Sequence, residues 1–477
     1  MNKKNVIINM LWRFAEQCGS QGINFIVSII LARVLSPNEY GTVALVTVLI
    51  DILQIFVNSG FPSALIQKKE ATALDFSTMF CFNILMCTVL YVGLYFAAPF
   101  IAIFYSDVAL VAIIRVLGIR LLISGLLAVQ NAYVQRNMQF KKYFYATLAG
   151  TVVSAVVGIA MVYNGYGVWA LVGQTLTAAA INAIVLWFTS GFYPKLRCSF
   201  ASLQSLFPYA LRLFLADIVD KVYINFRSLI IGKVYTTTDL AYYNKGEGFP
   251  KLIINNLNAS IDSVLFPAMA STQNDTIRLK AMTRRSIKTT SYLVWPCMIG
   301  LIVCAEPLIE LLLTAAWLPT VPFVRLFCIS YAFMPMQTAN QNTLKALGRS
   351  DIYLKLQTIG KGVGIITILI TMQIGVLAIA AGAVAVVIFE MLIKATPNKK
   401  MIDYGYMEQL KDILPSMLLA FFMGICVWWL QYLNLPLILV LAVQVGVGVL
   451  IYFGLSAVFK METFMLLLEL AGKGMKN

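Results

Sequence analysis

Apolar residues run along this chain in stretches of about 20, broken at short intervals by clusters of charge, glycine and proline. A helix of roughly 20 residues crosses a ~30 Å hydrocarbon core, and the spacing of the breaks predicts about fourteen such helices. The predicted cores are Val6–Leu31, Tyr40–Ile66, Phe76–Phe104, Val108–Val134, Phe144–Tyr163 and Gly167–Thr189, then Leu206–Ile231, Leu240–Met269, Thr289–Leu313 and Val321–Leu344. Ile352–Met372, Val376–Ile393, Ile413–Leu430 and Leu435–Phe459 complete the set. The fold class expected is an all-α integral membrane protein with no soluble domain of any size.

Alternate loops carry the cations. With the N-terminus inside, Lys68 and Lys69, Arg136, Lys141 and Lys142, Lys195 and Arg197, the run from Arg278 to Lys288, and Lys345 with Arg349 all fall on the cytoplasmic side. Lys394, Lys399 and Lys400 are assigned to that side as well, whereas the outer loops hold only Arg33 and Lys233. Both termini are therefore expected in the cytoplasm. "MNKKNVIINMLWRFAEQ" reads as an uncleaved first helix, because Arg13, Glu16 and Gln17 interrupt a signal-peptide core. The polar stretches Arg197–Ser205 and Ser271–Lys288 read as connections between bundles.

Composition narrows the chemistry. Of 477 residues 60% are hydrophobic and only 12% charged, with a net charge of +15. Nucleic acid is excluded as a partner, since the cations sit in short loops and form no basic stripe. The chain has no histidine, which removes His-based acid–base catalysis and His-ligated metals. Its eight cysteines show no CxxC and no zinc spacing, and most lie in apolar runs as small buried hydrophobes. No enzyme activity, metal or cofactor is expected.

The chain also repeats itself weakly. "LWRFAEQ" (Leu11–Gln17) faces "LRLFLAD" (Leu211–Asp217), and "ARVLSPNEYG" (Ala32–Gly41) faces "GKVYTTTDLAYY" (Gly232–Tyr243), an offset of about 200 residues. "GFPSALIQ" (Gly60–Gln67) and "LFPAMAS" (Leu265–Ser271) close the two copies. Six helices separate them, so both cross in the same direction, as in parallel transporter repeats. The domains expected are six-helix lobes at residues 1–190 and 206–397, followed by an additional helix pair at 411–460.

Charges inside the spans are the functional candidates, since a mid-bilayer charge costs roughly 2.5–3.5 kcal/mol. Arg13 with Glu16, Asp217 with Lys221 and Glu247 with Lys251 share helix faces, so internal ion pairs account for them as well as function does. Arg115 and Arg120 have no acid within a turn and project about 140° apart on one helix. Arg115 lies nearer the outer boundary, where it snorkels or pairs across helices. Arg120 lies ~18 Å deep. Lys361 is likewise deep and lacks a local partner. Such cations facing a cavity suit an anionic cargo, with phosphate the leading candidate. Arg120, Arg13, Arg212, Lys361 and Arg115 are the candidate substrate contacts. Asp51, Asp217, Asp220, Asp262 and Glu390 are candidates for ion coupling, with membrane potential as the alternative driving force.

"LARVLSPNEYG", "GFPSALIQKK", "IRVLGIRLLISGLLAVQNAYVQRNMQF", "AEPLIELLLTAAWLPTVPFVRLFCIS" and "LKALGRSD" together resemble the bacterial polysaccharide-transporter family. This is the lipid-linked oligosaccharide flippase branch of the superfamily that also holds multidrug extruders and the lipid II flippase. The resemblance implies two six-helix lobes around a central cavity, a polyprenyl-diphosphate-linked glycan as substrate and the bacterial cytoplasmic membrane as location. It also implies membrane lipid, a polysaccharide polymerase and export machinery as partners. By position, Arg13, Arg120, Arg212 and Lys361 would meet the diphosphate or acidic sugars. A drug/cation antiporter is the rival of the same class, and it would want a cavity of acids and aromatics. A membrane glycosyltransferase or polymerase is the rival of another class, and it would want a sizeable loop bearing catalytic groups.

Overall fold

The computed structural model describes residues 3–58, 61–68, 71–272, 275–432, 435–465 and 469, with side chains from residue 12 onward except at scattered positions and at 258–268. All regular structure among the described residues is helical. Two compact units divide the chain, Met1–Ala241 and Tyr242–Asn477.

In the first unit α1 (Lys3–Val34) precedes a broken span made of α2 (Pro37–Leu53), α3 (Ile55–Asn58) and α4 (Phe61–Gln67). α5 (Ala73–Tyr105) is followed by a second broken span, α6 (Ala109–Leu117) and α7 (Ile119–Arg136). Then come α8 (Phe140–Tyr163), α9 (Val168–Ser190) and α10 (Phe200–Val234). α11 (Thr237–Ser271) begins in this unit and runs into the second.

The helix starts are written in the sequence. Ser36 caps α2, with Glu39 returning to the Ser36 backbone N–H at 2.8 Å and Pro37 at the first helical position. About 200 residues on, Thr236 and Asp239 build the same box: the Thr236 hydroxyl and N–H donate to Asp239 at 2.7 and 3.2 Å. The paired segments of the sequence repeat thus turn by the same device. They also touch. A Cβ on Gly41 would overlap the carbonyl of Thr237, whose hydroxyl lies 2.5 Å from the Asn38 side-chain oxygen. Backbone cannot move aside as a flexible side chain can, so Gly41→Ala is expected to lower the thermal midpoint by several degrees, on the scale of a ~1–3 kcal/mol overpacking cost. A melting curve of the purified variant checks this.

Large apolar side chains face outward from these helices. Phe96, Phe100 and Ile103 of α5 are 68%, 74% and 75% exposed, a surface suited to lipid and not to water. The inner packing joins Leu65, Phe76, Met79 and Val129 with Leu206. Arg136 closes that layer by donating to the carbonyls of Leu65 and Lys68 at 2.5 and 2.6 Å.

The second unit continues with α12 (Thr276–Leu312) and a third broken span, α13 (Val321–Ala332) and α14 (Met334–Ala346). α15 (Ser350–Thr371), α16 (Val376–Ile402), α17 (Tyr406–Trp429) and α18 (Leu437–Val458) complete it. Its 37-residue α12 is about 55 Å long, well beyond the ~30 Å core. A buried amide ring fastens α14 to α16 and α17: Asn340 and Gln409 exchange bonds of 2.8 and 3.0 Å, and Asn398 donates to Asn340. Beside it Asp412, 9% exposed, accepts from Arg284 at 2.7 Å and from the Tyr404 hydroxyl at 2.8 Å. Outside the spans, the Lys288 ammonium holds the Glu462 carboxyl below its usual range.

Eleven helical spans among the described residues are long and apolar enough to cross a membrane, which makes this a multi-pass membrane protein. α1, α10 and α11, at 32, 35 and 35 residues, fall outside that group; they carry several of the internal charges that lower hydropathy. The structure also corrects the polar connections. α10 begins at Phe200 and α12 at Thr276, so most of Arg197–Ser205 and Ser271–Lys288 is helical. α16 likewise runs on to Ile402, and Lys394, expected in a loop, is 3% exposed inside the unit. In each case the helix outlasts its apolar stretch because polar side chains find partners in the fold.

Candidate functional site

The break after Leu117 puts Arg115 and Arg120 on separate helices. Arg115, at the end of α6, lies 4.1 Å from the Tyr95 ring centroid and donates to the Tyr95 carbonyl. That is a cross-helix anchor on α5. Arg120, in the first turn of α7, reaches Asp51 of α2 at 3.3 Å. One turn further along both helices, the Gln54 amide donates to Ser124 at 3.2 Å. Asp51 also feels the field of Lys221 on α10. The side chains of Arg120 and Asp51 remain 26% and 42% exposed, so the pair is open to a solute.

Arg120 lines a pocket of about 330 Å³ within the first unit. The rest of the lining is uncharged and polar: Asn24 of α1, Thr147, Thr151 and Ser154 of α8, and Gln174, Thr175 and Asn182 of α9. Thr151, Ser154 and Thr175 donate their hydroxyl protons to carbonyls of their own helices at 2.8, 3.0 and 2.9 Å. Their oxygen lone pairs therefore stay available as acceptors. α8 and α9 approach closely, since a Cβ on Gly158 would lie 3.1 Å from the Gln174 side chain. One guanidinium above amide and hydroxyl walls can hold an anionic group and hydrogen-bond the hydroxyls of a sugar.

The other sequence candidates take different places. Arg13 pairs with Glu16 at 2.8 Å and stacks over Tyr143 at 4.8 Å, so its nearest engagement is structural. Lys361 of α15 feels Glu390 of α16; Glu390 also binds Lys394 at 2.6 Å, and Lys394 reaches Gln337 of α14 at 3.1 Å. Two candidates, Lys361 and Glu390, thus belong to one network in the second unit. Glu247 and Lys251 pair at 3.3 Å as their spacing predicts. Asp217 and Lys221 form no ion pair among the described residues. Asp220 is exposed on α10 and engaged by a neighbour. The side chains of Arg212 and Asp262 lie outside the described residues. Sequence reasoning missed Thr147, Thr151, Ser154, Thr175 and Asn182. Their signal was a set of polar residues on one helix face, four and three apart on α8 and seven apart on α9.

This arrangement of helices belongs to a known class of membrane transporter fold. It superimposes on the lipid II flippase MurJ in an inward closed conformation with a TM-score of 0.75 and 16% identity, covering 95% of this chain and 98% of that one. An inward-facing multidrug resistance MATE family transporter of the MOP superfamily gives a TM-score of 0.64 at 15% identity, over 80% and 94% of the two chains. The chain belongs to the polysaccharide biosynthesis protein family, whose profile matches residues 30–322. It is 23% identical to the succinoglycan biosynthesis transport protein ExoT of Rhizobium meliloti over 74% of this chain and 71% of ExoT. It is also 23% identical to the lipopolysaccharide biosynthesis protein WzxC of Escherichia coli over 88% of this chain and 83% of WzxC.

Proposed function

We propose that this protein is a flippase that carries polyprenyl-diphosphate-linked oligosaccharide repeat units across the bacterial cytoplasmic membrane for export of a cell-surface polysaccharide. The observation that carries this reading is the pocket in which Arg120 stands over amide and hydroxyl walls, in a chain of a polysaccharide biosynthesis family. The diphosphate or an acidic sugar meets the guanidinium, and neighbouring sugar hydroxyls meet Asn24, Gln174 and Asn182. The names of ExoT and WzxC, both of polysaccharide biosynthesis, support the same cargo.

In this reading α1, α10 and α11 also cross the membrane, giving fourteen crossings in six-helix lobes at 1–190 and 206–397 with a helix pair at 411–460. Both termini are cytoplasmic in this reading, which the distribution of Lys and Arg supports, and translocation proceeds by alternating access. Arg13, Arg115, Arg212 and Lys361 are the further candidate cargo contacts. Asp51, Asp217, Asp220, Asp262 and Glu390 supply carboxylates for an ion or proton, and the released repeat unit passes to a polymerase and export machinery.

The test is transfer of a fluorescent polyprenyl-diphosphate oligosaccharide between leaflets of proteoliposomes. Transfer well above that of protein-free vesicles is expected. Transfer at the protein-free rate, with potential and ion gradients imposed, overturns the reading.

A further inference from the structure

A second cavity lies far along the chain from Arg120, where α12, α17 and α18 meet. It has a volume of about 670 Å³, within the ~300–1,000 Å³ range of small-ligand sites. One end is apolar, lined by Leu418, Leu419 and Phe422 of α17 with Leu455 and Phe459. Leu418, Phe422 and Phe459 are 57%, 53% and 70% exposed, so this end opens to hydrocarbon. The other end holds Lys288, Lys460, Asp412 and Glu462. It continues into a polar notch of about 440 Å³ that shares Lys288 and Glu462 and adds Arg284 and Arg285.

Three elements bring their polar ends to one depth. Lys288 is the last cation before the apolar part of α12, Asp412 precedes the apolar run of α17, and Lys460 follows the end of α18. The charge balance favours an anion. Asp412 is held by Arg284 at 2.7 Å and lies 3.6 Å from Lys288, while Glu462 holds Lys288 at 2.7 Å. Arg285 and Lys460 form no ion pair among the described residues. Among the lining residues two acids therefore stand beside four cations, two of them in no ion pair among the described residues, at the mouth of a groove that leads into lipid; Glu408, 4.0 Å from Arg284, lies outside the lining.

We propose that this groove binds an anionic phospholipid, with its phosphate between Lys460, Lys288 and Arg285 and an acyl chain along Leu419, Phe422 and Leu455. A soluble anion would leave the exposed apolar wall uncovered, and a neutral lipid would leave the uncommitted cations without a partner. Each cation near a charged membrane surface favours an anionic lipid by about fivefold. Removing two should cost on the order of tenfold or more in selectivity.

The experiment uses the full chain with Phe422→Trp in vesicles containing brominated-chain phosphatidylglycerol or phosphatidylcholine, and reads the fluorescence quenched beyond that of the native chain. Half-quenching is expected at a roughly tenfold lower mole fraction of phosphatidylglycerol than of phosphatidylcholine. Arg285→Gln with Lys460→Gln should bring the two lipids within about twofold while leaving the melting midpoint in place, since both side chains stand clear of the packed interior. Equal quenching by the two lipids without the glutamine changes overturns the proposal. So does selectivity that survives them, or quenching that an equimolar amount of undecaprenyl phosphate reverses.

Discussion

Arg120→Gln is expected to lower the initial rate of glycolipid transfer by about 30-fold or more, with little change in thermal stability. Truncating one partner of a hydrogen-bonded charge pair that bound cargo desolvates, here Arg120 with the cargo's anion, costs about 2–5 kcal/mol, and 2 kcal/mol is a factor of about 30. The stability effect is small because the Arg120–Asp51 pair is partly exposed and 3.3 Å long, which puts its net worth near that of a surface pair. Asp51→Asn gives the contrast. It removes the carboxylate that competes with the cargo's own anion for Arg120, so binding should be kept or tightened while release slows. If the pair served only to join α2 to α7, both substitutions would reduce transfer and melting midpoint together. Initial rates at sub-saturating glycolipid, measured beside melting curves, separate these outcomes.

The helices themselves were legible because hydrocarbon imposes a length and a polarity on anything that crosses it. Predicted cores and observed helices agree within a few residues for α5, α8, α9, α13 with α14, and α18. What hydropathy could not convey was where a helix continues beyond the apolar run. The first three turns of α12 are rich in cations and read as a connection, yet they pack against α17 through Lys280–Glu408 and Arg284–Asp412. Lys394 looked like a loop lysine for the same reason, its partners Glu390 and Gln337 being invisible to a loop-by-loop reading. The site was legible in its charges and not in their pairing. Arg120 and Asp51 stand 69 positions apart, and both were singled out, one for cargo and one for coupling. Their union depends on the packing of the broken span α2–α3 against the broken span α6–α7, which no local pattern encodes. The breaks at Gln54, Gly118 and Phe333 were missed too, because each falls inside a stretch that hydropathy reads as one span.

The largest stability effect is expected at Asp412. Its carboxylate is nearly closed off, 5% exposed as a side chain, and it gathers Arg284, Lys288 and the Tyr404 hydroxyl within 2.7, 3.6 and 2.8 Å. Asp412→Ala leaves two cations and a buried hydroxyl facing an empty space. Removing one partner from a buried ion pair costs about 3–5 kcal/mol, which for a unit of this size lowers the melting midpoint on the order of 10 °C. Asp412→Asn should recover part of the loss, because the amide oxygen still accepts from Tyr404 although the charge is gone. Glu408, which also faces Arg284 but at 4.0 Å and 37% exposed, should cost no more than about 1 kcal/mol on truncation. Melting curves of the three variants rank these effects. An Asp412→Ala midpoint within a degree or two of Glu408→Ala would mean that the α12–α17 junction is held by its apolar packing and that the ion cluster adds nothing to it.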